Sequence, residues 1–183
     1  MALNSVFGRR QVREKFILII LSLACCGNLL AQANSEPIAI VELGGAADWS
    51  VKDGASSFGP DIAAEVTPID NWLELEAGVT PLFRGHSIEW GTDLLFKKPW
   101  TLSRKAELMV GMGPEWIHGN ESGITTNSVA AEAVLDFMFW PSTKRKLGWF
   151  VEPAYERVFG QGHEQSIGIS FGLLIALFPK ARP

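Results

Sequence analysis

The chain has 183 residues, with 16 Lys and Arg against 20 Asp and Glu and a net charge of −4. That length holds one domain, and an acidic chain without a broad basic cluster argues against nucleic acid as a partner. Both cysteines, Cys25 and Cys26, lie near the N-terminus, so the body of the chain has neither disulfides nor thiolate chemistry.

The first residues read as an export leader. Arg9, Arg10, Arg13 and Lys15 form a basic region, Phe16 to Leu30 an apolar run, and Ala31-Gln32-Ala33 a small-x-small cleavage site. The run is short for a spanning helix, which needs roughly 17–25 residues. We therefore expect residues 1–33 to be a signal peptide cleaved near Ala33, and 34–183 to be the functional domain. After cleavage 12 bases remain against 19 acids, a net charge of −7.

Eight strand-like stretches follow: Ile38–Trp49, Asp61–Ile69, Trp72–Phe83, Ile88–Lys97, Ser103–Trp116, Asn127–Trp140, Leu147–Arg157 and Gln165–Phe178. The connectors hold turn residues: Lys52-Asp53-Gly54, Asp70-Asn71, Arg84-Gly85, Lys98-Pro99, Gly119 to Gly123, Pro141-Ser142 and Gly160-Gln161-Gly162. No stretch after the leader has a long helical period or the apolar length of a spanning helix.

Each strand has one oily and one polar or narrow face. The first sets Val41, Leu43, Ala47 and Trp49 against Glu42, Gly44, Ala46 and Asp48; the third sets Leu73, Leu75, Ala77 and Val79 against Glu74, Glu76, Gly78 and Thr80. The fifth opposes Leu108, Val110, Met112 and Trp116 to Lys105, Glu107 and Glu115, and the sixth opposes Leu135, Phe137 and Phe139 to Glu132, Val134 and Asp136. In the last strand, Ile167, Ile169, Phe171, Leu173, Ile175 and Leu177 alternate with Ser166, Gly168, Ser170, Gly172, Leu174 and Ala176. Every acid inside a strand falls opposite the oily face. A charge facing lipid costs kilocalories near the midplane, which would enforce this sorting; a soluble sandwich would alternate too, with its oily face on another sheet.

Two features favour lipid. Tryptophans gather at strand ends, Trp49, Trp90 and Trp116 towards one side and Trp72, Trp100, Trp140 and Trp149 towards the other, as two interfacial girdles. Ser170, Gly172, Ile175, Leu177 and Phe178 then supply a polar residue, a glycine two on, hydrophobics three and five after it, and a near-terminal aromatic. On these residues the chain resembles the small eight-stranded outer-membrane barrel proteins of Gram-negative bacteria, departing in its tail Pro179 to Pro183. The resemblance implies an all-β fold, a closed antiparallel eight-stranded transmembrane β-barrel in the cell outer membrane. It also implies outer-membrane lipid, lipopolysaccharide and the barrel-insertion machinery as partners. The termini would then lie on the periplasmic side.

Eight strands leave a bore that side chains nearly fill. The expected lumen carboxylates are Glu42, Glu65, Glu74, Glu76, Asp93, Glu107, Glu132, Asp136 and Glu152, with only Lys97 and Lys105 as inward bases by parity. Such an excess of acid must meet water, bound cations or protons, so we expect stability to rise on mild acidification; stability lost there would mean the acids are well paired. The bases Lys97, Lys98, Arg104, Lys105 and Lys144-Arg145-Lys146 cluster at the periplasmic turns, where they are expected to solubilise those turns or to meet anionic headgroups.

No cofactor is expected, and His86, His118 and His163, near the outer connectors, match no metal-ligand spacing. His163 with Ser166 and Glu156 are the candidates for a catalytic site like that of the outer-membrane lipid A deacylases, which this chain resembles in size; the closely spaced His-x-Ser of those enzymes is missing. The expected function is non-enzymatic: a structural barrel, or narrow passage of water or small ions. The competing readings are a lipid A-modifying hydrolase at the outer rim and a soluble periplasmic lipocalin-like carrier.

Overall fold

The structure, a computed structural model, describes residues 37–85, 87–121, 124–159 and 164–179. The expected signal peptide, His86, His163 and the tail after residue 179 lie outside them. Eight strands are present: β1 Pro37–Ser50, β2 Ser56–Ile69, β3 Leu73–Arg84, β4 Ser87–Ser103, β5 Ala106–Glu121, β6 Ile124–Phe139, β7 Leu147–Phe159 and β8 Gln165–Pro179. Each pairs antiparallel with the next, and β8 returns to β1 from Pro37↔Pro179 to Ser50↔Ser166, closing the barrel. Closure removes both sheet edges. The start of β1 and the end of β8 lie at one end, here called the base; the other end is the mouth.

The period-two pattern sorts as the sequence implies. Phe58, Ile62, Met112, Val129 and Phe171 stand more than half exposed on the outer wall. Glu42, Glu65, Glu74, Glu76, Lys97 and Asp136 are buried in the lumen. A lipocalin-like carrier requires the opposite distribution. So broad an apolar exterior is a liability in water and a match to hydrocarbon.

Several strands are longer than composition suggests. Ser56 to Pro60 falls before the expected second strand, yet Ser56–Pro60 pairs in register with Gly45–Trp49 of β1. Lys98-Pro99 is not a connector: β4 runs through it to Ser103, and the chain turns at Arg104-Lys105. Beyond Lys97, β4 pairs with β5 alone, because the pairing with β3 ends at Glu74↔Lys97. A proline is tolerated where one side of a strand has no ladder to complete. Gly119 to Glu121 likewise belong to β5.

The tight turns use left-handed backbone at Gly54 (φ 69°), Asn71 (φ 58°) and Gly85 (φ 59°), conformations that glycine and asparagine adopt at least cost. At the closing seam Gly44 and Gly172 face each other. A Cβ on Gly172 would lie 2.8 Å from the Leu43 carbonyl carbon, so the close approach of β1 and β8 requires glycine.

Candidate functional site: the charged lumen

Lys97 of β4 is the centre of the lumen. Its side chain is fully buried and crosses the bore to three other strands. Its ammonium donates to Glu76 of β3 at 2.5 Å, to Asp136 of β6 at 3.2 Å and to Glu152 of β7. Gly111, opposite Lys97 in the β4–β5 register, makes room for its stem, since a Cβ there would stand 2.7 Å from the lysine Cγ. Leu95 and Val134 are buried among these polar groups, leaving little space for solvent.

Below this layer the base is stoppered. Ile40, Met109, Met138, Trp140, Phe150 and Leu174 form one buried apolar cluster. Arg145, in the turn between β6 and β7, takes a left-handed backbone (φ 45°) that places its guanidinium inside the barrel, where it donates to Glu107 at 2.6 Å. A non-glycine residue held there costs about 1–3 kcal/mol, offset by this buried charge-assisted bond.

Three expectations are corrected here. Trp140 is not a girdle residue: it is 1% exposed and packed in the base stopper. Its even number placed it with Glu132 and Asp136 all along; position at a strand end is a weaker guide than parity. Arg145 is not a solvated turn base, because the backbone at that residue turns its side chain inward. Lys105 is exposed at the β4–β5 turn and does not share the lumen with Lys97. Lys98, by contrast, reaches the Asn71 carbonyl at the neighbouring turn.

Above Lys97 the lumen opens. Asp61 accepts from the Thr80 hydroxyl at 2.8 Å. A cavity of about 70 Å³ is bounded by Asp93, Glu115, Glu132 and Glu156, and a larger one of about 640 Å³ at the mouth by Asp48, Arg84, Glu89, Glu156, Glu164 and Ser166. Asp48, Leu82 and Glu156 border both, so the two form one acid-lined funnel from the mouth. At the rim, Asp53 accepts from the Ala55 amide at 3.1 Å and from Arg84 at 3.4 Å. The Ser50 hydroxyl foremost, then that amide and Arg84, hold its carboxyl below the usual aspartate range.

All nine expected lumen carboxylates face the bore: seven are buried, while Asp93 and Glu132 are half-buried. On the outer wall, Trp49, Trp90 and Trp116 lie towards the mouth, and Trp72 and Trp149 towards the base, all exposed. Trp149 stacks on Phe139 with ring centroids 4.2 Å apart. Gly172, Ile175, Leu177 and Phe178 belong to β8, with Leu177 exposed outside; the Phe178 side chain is outside the described residues. Of the candidate triad, Ser166 donates to Glu156 at 3.3 Å, while His163 is not among the described residues. His118 lies within β5, not in a connector, with Nδ1 2.9 Å from Asn127 Oδ1.

No protein-family model and no curated relative matches the chain. Solved structures do match in fold. Neisserial surface protein A is similar at 12% identity and a TM-score of 0.60, over 76% of this chain and 96% of that one. Ail, the attachment invasion locus protein of Yersinia pestis, is similar at 11% identity and a TM-score of 0.53, over 78% and 99%. A de novo designed transmembrane β-barrel matches at 14% identity and a TM-score of 0.51, over 79% and 100%. At such identities the likeness shows the fold, a small eight-stranded barrel of the outer-membrane kind.

Proposed function

We propose that this chain is exported by a signal peptide cleaved near Ala33 and sits in the outer membrane of a Gram-negative cell as a non-enzymatic structural barrel. The insertion machinery would read its last strand, and membrane lipid and lipopolysaccharide would surround its wall. The observation that carries the structural reading is the obstructed lumen: Lys97 tied to Glu76, Asp136 and Glu152, above a base filled by Trp140, Phe150 and the Arg145–Glu107 pair. Continuous ion flow requires these groups to part, which leaves a charge buried without its partner.

The test is conductance of the purified protein in planar bilayers. The expected result is no steady conductance; stable cation-selective openings would replace the structural reading with narrow passage. A lipid A hydrolase at the rim is the competing enzymatic reading, supported by the Ser166–Glu156 contact. Unchanged lipid A acylation in His163→Ala cells compared with wild type would remove it.

A further inference from the structure

Around Lys97, four carboxylates converge from four strands: Glu42 of β1, Glu65 of β2, Glu76 of β3 and Asp136 of β6. One oxygen from each lies within 4.8 Å of the others, and all four residues are buried. Lys97 does not satisfy them. It takes one oxygen of Glu76 and one of Asp136, leaving Asp136 Oδ1 with no hydrogen-bond donor among the described residues. Glu42 Oε1 and both oxygens of Glu65 are also buried without a donor. The carboxyl of Glu74 lies within hydrogen-bond reach of Glu65, so this pair can share a proton, whereas Glu42 Oε1 and Asp136 Oδ1 have no such neighbour among the described residues. Orphaned, fully buried carboxylate oxygens directed at one another are costly unless a cation or protons neutralise them.

We propose that Glu42, Glu65, Glu76 and Asp136 bind one hard divalent cation of the calcium class inside the barrel. The donors are all oxygen, which suits calcium or magnesium rather than a softer metal. Size separates the two. Calcium–oxygen distances of 2.3–2.6 Å put oxygens on opposite sides of the ion about 4.6–5.2 Å apart, whereas magnesium at 2.0–2.1 Å draws them to about 4.0–4.2 Å. Oxygens that all lie within 4.8 Å of one another fit inside the calcium span without moving apart. The four carboxylates together with Glu152, which shares the Lys97 ammonium, and that ammonium sum to four negative charges, half of which a divalent ion cancels. The funnel of Asp48, Glu156, Glu115, Glu132 and Asp93 leads from the mouth towards the site and would concentrate cations on that path. The site stands whether or not the barrel conducts, so this proposal does not depend on the structural reading.

The test is calorimetric titration of calcium chloride, then magnesium chloride, into the EDTA-stripped protein folded in detergent at about 0.15 M salt, where weak surface binding is screened. The expected result is one saturable calcium site, weaker for magnesium. Glu42→Gln and Glu65→Gln should each weaken it about tenfold or more by removing a charged ligand, and Asp70→Asn, at the exposed β2–β3 turn outside the funnel, should leave it unchanged. If a lumen variant does not fold, the wild-type protein decides: calcium should raise the temperature at which it loses the gel mobility of the folded barrel, and EDTA should reverse this. Absence of calcium heat and of any calcium-dependent shift would overturn the proposal, as would binding unaffected by both lumen substitutions. A stability that follows pH but not calcium would assign the charge balance to protons and overturn it equally.

Discussion

Replacing Lys97 with methionine keeps an unbranched chain of similar length while removing the ammonium. Three carboxylates then lose their shared partner in a place where the lysine side chain is 0% exposed and theirs are 4%, 0% and 10% exposed. Removing one member of a buried ion pair costs about 3–5 kcal/mol. With three partners stranded together we place Lys97→Met at about 4–5 kcal/mol, the top of that range. Lys105→Met, of the same parity but exposed at its turn, should stay within about 0.5 kcal/mol of wild type. The assay is reversible urea unfolding in lipid vesicles, followed by tryptophan fluorescence and by gel mobility. Adding Glu76→Gln, Asp136→Asn and Glu152→Gln to Lys97→Met should recover much of the loss, since the groups left behind are then neutral. Equal effects of Lys97→Met and Lys105→Met, or no recovery in the combined variant, would refute the reasoning.

Other perturbations probe the wall, the base and the rim. Ile62 is 54% exposed on the outer face near the middle of β2; Ile62→Lys should cost about 2–4 kcal/mol in vesicles if lipid covers it, and next to nothing in a water-soluble barrel. Trp140→Ala should cost about 3–5 kcal/mol by urea unfolding, as for a buried tryptophan; a loss under about 1 kcal/mol would place that ring outside the stopper. At the rim the Asp53 carboxyl should titrate below an ordinary aspartate when followed by carbon-detected NMR. Because its folded value is depressed, its contribution to stability is present above the unfolded value and fades as pH falls through the folded one; an Asp53 that titrates above the ordinary value would contradict the Ser50 and Ala55 hydrogen bonds.

Much of this architecture is legible in the sequence because a barrel wall makes a single demand at every position. Alternation in Gln165–Pro179 or Leu73–Arg84 reports it directly, so the lumen carboxylates can be named without coordinates. The failures have separate causes. Ser56 to Pro60 and Lys98-Pro99 carry turn chemistry, but register with a long neighbouring strand outweighs local propensity. Arg145 lies in a turn, where no periodicity applies, and only its left-handed backbone reveals that it points inward. Lys97 and Lys105 share a parity, yet depth along the strand decides which is buried. The convergence of Glu42, Glu65, Glu76 and Asp136 depends on strand stagger around the closed sheet, which one-dimensional spacing does not encode.

The most direct test of a closed outer-membrane barrel is the gel mobility of the protein taken from a fractionated cell envelope, with and without boiling in detergent. The account predicts recovery in the outer-membrane fraction, with a fast-migrating band that shifts on boiling as the barrel of β1 to β8 opens. Recovery in the soluble periplasm with no shift would contradict it, and would mean that the apolar wall is buried against something other than lipid.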